Sequence, residues 1–397
     1  MKKKALIYLT ILALMLNACS LLGLGAEATP IVTDTPTTPP TETQIPPTET
    51  PTPTATATPE PLIVDYGPDN FPANVNPLTG LTVSDPTTLE RLPISVKIQI
   101  FPRADRPPFG LSAADIVYDY YQNNGLTRFN AIFYGNDSDQ VGPIRSGRLL
   151  DMHIIRMYKT FFVFGGADKK ILNKLFGAEF SDRLLVEGPS NCPPMCRFDP
   201  NGYNFLMVDT KAVGPFFAGK GVTNSRQNLN GMIFQQQPPA NGVIGTQIYL
   251  RYSISAYARW DFDPATGRYL RFQDTAETVS AEGESYEPLT DRLTGQQISA
   301  DNVVILMVKH SYFYKSGNSE VIDIELTGSG DGYAFRDGQV YDVKWNRPTN
   351  DSVLYLTFPD GTPYPFKQGV TWFQPMGISS KIESKDNYMW RFEMHLP

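Results

Sequence analysis

Along the chain, apolar and polar positions change period several times, and each change predicts an element. ISVKIQI (Ile94 to Ile100) alternates apolar and polar residues and predicts a β-strand with one polar face. IVYDYYQ and LTRFNAIFY flank Asn123-Asn124-Gly125; an Asn-Gly step between two β-rich runs predicts a hairpin, because both residues tolerate positive φ. Two-residue alternation then sets Asp119 on the face opposite Tyr118 and Tyr120. Ser112 with Asp115 has capping-box spacing and predicts one short helical turn. After Gly142-Pro143 the period lengthens. Leu149, Leu150, Met152, Ile155 and Met157 supply the apolar side of a helix from Gly147 to about Lys159, with Ser146 as its N-cap. TFFVFGG reads as a buried strand, and KKILNKLF as a helix capped by Asp168 and stopped by Gly177. A strand near YNFLMVD leads to a short helix around Lys211 to Phe217. From Ile244 onward the pattern is strand and turn, with Asp-Gly and Thr-Gly steps between apolar runs. The expected fold class is α+β: a mixed α/β N-terminal domain followed by a mostly β C-terminal domain.

The first 65 residues follow other rules. Lys2, Lys3 and Lys4 precede a short apolar core from Leu6 to Leu16, which is a signal-peptide pattern rather than a membrane span. Leu16-Asn17-Ala18-Cys19 resembles a bacterial lipobox, which makes Cys19 the expected lipidated residue and a membrane the expected anchor; the competing reading is an ordinary secretory signal in which Cys19 is incidental. Ser20, not Asp, follows the cysteine, so in a two-membrane host outer-membrane sorting stays open. Between Ala26 and about Pro61 the chain is nearly all Thr, Pro, Ala and Glu, which offers too little apolar surface to offset the entropy of ordering. Extended by proline, such a stalk reaches up to ~100 Å. The expected organisation is a signal peptide over 1–19, a stalk over 20–65, an N-terminal domain over 71–219, a polar linker over 220–242, a β-rich domain over 243–378 and a tail over 379–397.

Composition narrows the chemistry. A net charge of −7 excludes the basic footprint of a general nucleic-acid binder. The three histidines, His153, His310 and His395, are far apart and in no metal-ligand spacing, so neither a metal nor another cofactor is expected. Beyond Cys19 only Cys192 and Cys196 remain. Outside the cytoplasm they are expected to form a small structural bridge, with a redox pair as the weaker alternative. Asp331 and Asp337 lie in a glycine-rich stretch without the acidic pattern of a calcium loop. Trp260, Trp345, Trp372 and Trp390 fit a β-core, and a surface aromatic shelf is the other reading.

The segment QVGPIRSGRLLDM holds the chief candidate site. A helix start presents unpaired N–H groups and a partial positive charge. Arg145 and Ser146 precede the expected start, Arg148 lies in its first turn, and Arg128 arrives from the hairpin. Three guanidiniums at one mouth would grip a carboxylate or phosphate bidentately. Asp115, Asp119 and Asp151 compete as internal ion-pair partners of these arginines, Asp151 being three residues beyond Arg148. Two of those carboxylates could instead form a hydrolytic pair of the glycosidase kind. Ser146 has no neighbouring His base and no G-x-S-x-G elbow, which argues against a nucleophile.

NPLTGL, GLSAADIVYD, GLTRFNAIFY and VGPIRSGR, with GRYLRFQDTAE, DRLTGQQISADNVVILMV, GSGDGYAFRDGQVYDVKW and GTPYPFKQGVTWFQPM later in the chain, resemble the YerB-like lipoproteins, built from domain of unknown function 3048. The likeness covers nearly all of the chain after the stalk. It implies a two-domain lipoprotein anchored in the bacterial envelope and implies no reaction. By the same resemblance the family tends to carry Asp-Asn where Gln99 and Ile100 stand, Glu where Asn123 stands, and His where Tyr203 precedes Asn204; any acid-base chemistry of those groups is absent here. The expectation is a non-catalytic module that binds an anionic cell-wall polymer or an envelope protein through the arginines. The alternative is a wall-active hydrolase or transferase using Asp119 or Asp151.

Overall fold

The structure is a computed structural model that describes residues 65–198, 205–317, 319–386 and 388–397. The signal peptide, Cys19, nearly all of the stalk and the Tyr203-Asn204 pair lie outside the described residues.

The N-terminal half contributes β1 (Ile94–Gln99), β2 (Ile116–Asn123), β3 (Leu126–Phe133), β4 (Phe161–Phe164), β5 (Leu184–Val186), β6 (Met195–Arg197) and β7 (Leu206–Val208), with helices α1 (Leu149–Tyr158), α2 (Lys169–Phe176) and α3 (Thr210–Ala218). The C-terminal half contributes β8 (Val243–Ile244), β9 (Gln247–Arg251), β10 (Tyr257–Asp263), β11 (Arg268–Asp274), β12 (Tyr286–Pro288), β13 (Ser299–Ala300), β14 (Asn302–Val308), β15 (His310–Ser316), β16 (Ser319–Ile324), β17 (Gly328–Arg336), β18 (Gln339–Arg347), β19 (Tyr355–Thr357), β20 (Thr371–Gly377), β21 (Lys381–Lys385) and β22 (Met389–Glu393). This is the α+β composition read from the sequence.

The local rules explain most of these elements. Asn124 (φ 52°) and Gly125 (φ 77°) close the β2–β3 hairpin, and a Cβ on Gly125 would meet Ser253 Oγ at 2.8 Å, so this turn requires glycine twice over. Asp168 and Asp209 cap α2 and α3 by accepting the N–H groups of Lys170 and Lys211. Cys192 and Cys196 are joined in a disulfide just before and within β6.

One sheet crosses the whole body. Its strand order is β19-β18-β17-β14-β20-β2-β3-β1-β4-β5, with β8 also on β18. β20, from the C-terminal half, lies parallel to both β14 and β2 and stitches the halves together. The second sheet, β12-β11-β10-β9-β22-β21, lies against the face of β2 and β3 that carries Asp119 and Phe129, as the Asp119–Arg271 contact records. At that junction Trp372 is edge-on to both Phe129 and Trp260, with centroids 5.0 Å apart in each pair. The helix α1 covers the other face.

Three expectations change. The polar segment 220–242 is more than a linker: Leu229, Met232 and Phe234 are fully buried, and Phe234 bridges to Tyr66 and Phe366. Its apolar residues are few but spaced to point inward. The 379–397 segment is more than a tail: β22 pairs in parallel with β9, setting Trp390 beside Ile248 and Phe392 beside Leu250. Last, α1 begins at Leu149 with Arg148 as its N-cap, not at Gly147 with Ser146. The Asp151 carboxylate takes the Arg148 N–H at 2.6 Å, and this fixes the cap two residues later.

Candidate functional site

Strand register builds the floor of the site. Gln99, Arg128 and Tyr120 stand side by side on β1, β3 and β2, and Lys97, Asn130 and Tyr118 form the next row. All six side chains share the face under α1. The first turn of α1 lowers Asp151 onto them. Its Oδ1 accepts from Tyr120 Oη and, at 2.8 Å, from Asn130 Nδ2, and lies 3.3 Å from Lys97 Nζ. Lys97 also donates to Tyr120 Oη and sits 3.8 Å from its ring centroid. Lys97, Tyr120, Asn130 and Asp151 have no solvent exposure. Burial, opposed by Asp151 and reinforced by Arg128 and Arg148, brings the Lys97 ammonium down to about 7. Burial beside Asp151 drives the Tyr120 phenol well above its usual range.

The arginines lie above this floor and are half-buried. Arg128 Nη1 donates to the Ser146 carbonyl at 2.9 Å. Arg148 Nη1 donates to the Gly147 carbonyl at 2.9 Å and reaches the same Ser146 oxygen at 3.5 Å, while its Nη2 reaches Asn123 Oδ1 at 3.3 Å. Arg145 Nε donates to Gln99 Oε1. Among the described residues, every guanidinium hydrogen bond of Arg128 and Arg148 goes to a neutral oxygen, and Nε and Nη2 of Arg128 have none. Burial first, then the charges of Arg148 and Arg145, hold the Arg128 guanidinium well below its usual range. The expected gathering of Arg128, Arg145, Ser146 and Arg148 is therefore present, with Ser146 contributing its carbonyl rather than a capping hydroxyl.

The carboxylates behave otherwise than as partners for these guanidiniums. Asp115 Oδ2 accepts the N–H groups of Tyr134 (2.6 Å) and Gly135 (2.9 Å), its Oδ1 accepts from Asn76 Nδ2 (3.1 Å), and burial pushes it up to about 6. It ties a loop end to the sheet. Asp119 pairs with Arg271 at 2.7 Å inside the junction between the sheets, both side chains being sealed from solvent. Asp151 takes the Arg148 backbone N–H and the Lys97 ammonium, not the Arg148 guanidinium. Asp119 and Asp151 thus lie on opposite faces of one sheet, so they cannot flank one scissile bond. The hydrolytic pair read from the sequence is corrected on that ground.

Lys97, Tyr120 and Asn130 were missed by the sequence reading. The alternation of SVKIQ puts Lys97 and Gln99 on one polar face of β1, but nothing local shows that α1 buries that face. Among the described residues no group of three His, Cys, Asp or Glu side chains gathers as a metal site.

Known relatives match this α+β body. Residues 78–190 match the family described as "Protein of unknown function (DUF3048) N-terminal domain", and residues 248–373 match its C-terminal domain. The chain belongs to this DUF3048 family. It is 28% identical over 319 residues to the "Putative lipoprotein YerB" of Bacillus subtilis (strain 168), covering 78% of this chain and 88% of that protein. The crystal structure of YerB from Bacillus subtilis superposes with a TM-score of 0.62 at 24% identity, over 76% of this chain and 96% of that one, a likeness of fold.

Proposed function

We propose that this protein is a lipid-anchored, extracytoplasmic envelope protein that binds an anionic cell-wall component, or an acidic face of a wall-synthesis protein, without chemistry of its own. The observation that carries the reading is the guanidinium pair of Arg128 and Arg148, converging on one carbonyl with donors to spare and with only neutral oxygens as guanidinium hydrogen-bond partners. Guanidiniums held this close repel one another, and an anion relieves that repulsion while supplying bidentate acceptors. The relative's name as a lipoprotein and the lipobox at Cys19 support the anchor. Replacing Cys19 by Ser is expected to move the chain from the membrane pellet to the soluble fraction of fractionated cells; retention in the pellet would refute lipid anchoring there.

The binding test is co-sedimentation of the full chain with purified peptidoglycan, with and without its phosphate-bearing polymers. R128Q/R148Q removes two charge-assisted contacts of about 1.5–3 kcal/mol each and should weaken retention at least about tenfold. Unchanged retention sinks the proposal, and release of soluble fragments would favour an enzyme.

A further inference from the structure

The free edge of β18 is interrupted. β8 covers it at Gln339 and Val340, where Val340 faces Val243, and β19 covers it from Lys344, which faces Thr357. Tyr341, Asp342 and Val343 between them have a strand partner on the β17 side only. Gln339 closes onto Arg336 across the two-residue turn Asp337-Gly338, whose φ values of 51° and 73° mark a tight hairpin. Counting outward from that turn, backbone groups point alternately to β17 and away, so the N–H and C=O of Asp342 both point into the gap. Among the described residues they meet no backbone partner there.

The gap opens into a cleft of about 540 Å³ lined by Val243, Tyr341, Asp342, Phe358, Asp360 and Trp390, among others. Val243 in its lining is 56% exposed. No lysine or arginine lines it, in contrast to the arginine site.

We propose that this cleft binds an extended peptide segment of about three residues, which completes the edge of β18 between β19 and β8. Both flanking strands run antiparallel to β18, so the peptide does too, spanning about 10 Å. Its central residue lies opposite Asp342 and exchanges both backbone hydrogen bonds with it. The side chain of that residue falls on the same face as the Asp342 carboxylate and is cationic; its two neighbours are apolar. A paired donor and acceptor in the plane of a sheet matches a peptide unit, which a sugar ring does not reproduce, although the aromatic side chains would accept either.

The probe is acetyl-Val-Lys-Val-amide, titrated into the full chain by calorimetry, with hydrogen exchange read over residues 339–346. Binding is expected with slowed exchange at the Asp342 amide. N-methylation of the central lysine is expected to weaken it about tenfold or more through the lost hydrogen bond, whereas N-methylation of the first valine, whose amide points away from β18, is not. D342K, a change at an exposed position, is expected to abolish binding of the cationic probe. Equal binding of both N-methylated peptides, no binding at millimolar peptide, or protection by an N-acetylglucosamine trimer in place of the peptide would each overturn the proposal.

Discussion

Replacing Asp119 by Ala is expected to destabilise the body by about 3–5 kcal/mol, the range for breaking one side of a buried ion pair. Arg271 has no solvent exposure; its guanidinium carbon lies 5.1 Å from the Trp260 ring centroid and 5.4 Å from that of Trp372. Without Asp119 its strongest neutralising contact disappears, leaving Gln273 Oε1 at 2.9 Å as a neutral substitute. The loss falls at the contact between the two sheets, so urea unfolding followed by tryptophan fluorescence reports it directly. The double replacement D119L/R271M removes charge and counter-charge together and is expected to recover most of the stability. If D119A costs under about 1 kcal/mol, the pair is not a buried electrostatic contact and the view of the junction is wrong.

The same junction marks where sequence reading stops. The hairpin at Asn124-Gly125, the Asp168 cap and the strands β9–β11, β14 and β16–β20 were legible because each is fixed by residues within a few positions. β20 between β14 and β2 was not, since nothing local in TWFQPMG says that it lies beside IVYDYYQN rather than beside its own half. Leu229, Met232 and Phe234 were hidden by the Asn and Gln around them. At the site, the convergence of Arg128 with Arg145 and Arg148 was readable because a hairpin strand and a helix start both had clear signals. The floor beneath them was not. ISVKIQI has the alternation of a strand wetted on one face, and only tertiary packing by α1 turns Ser95, Lys97 and Gln99 inward.

That inward turn gives Lys97 a measurable signature. Its ammonium faces Asp151 and Tyr120 directly, with Asn130 beside them, the guanidiniums of Arg128 and Arg148 above and the carboxylate of Asp119 beyond the sheet. The folded-state value of about 7 lies well below the unfolded value near 10.4. Below pH 7 both states hold the proton, and the folded state bears the whole cost of a buried cation. Between pH 7 and about 10.4 the unfolded chain binds more protons than the folded one, so stability rises with pH through this window. The slope from this one group approaches roughly 1.4 kcal/mol per pH unit, on the order of 4 kcal/mol in all. K97M is expected to flatten that rise, while the Asp151 carboxylate keeps its bonds to Tyr120, Asn130 and the Arg148 N–H. The check is the difference in unfolding free energy between K97M and the parent chain, by urea at pH 7, 8, 9 and 10. A difference independent of pH would mean that Lys97 keeps an ordinary ammonium, and that water or a counter-charge reaches the floor of the arginine site. An anion seated on Arg128 and Arg148 opposes their pull on Lys97, so a ligand that binds there should also take up part of a proton near pH 7. Proton uptake thus links the stability measurement to the binding reading.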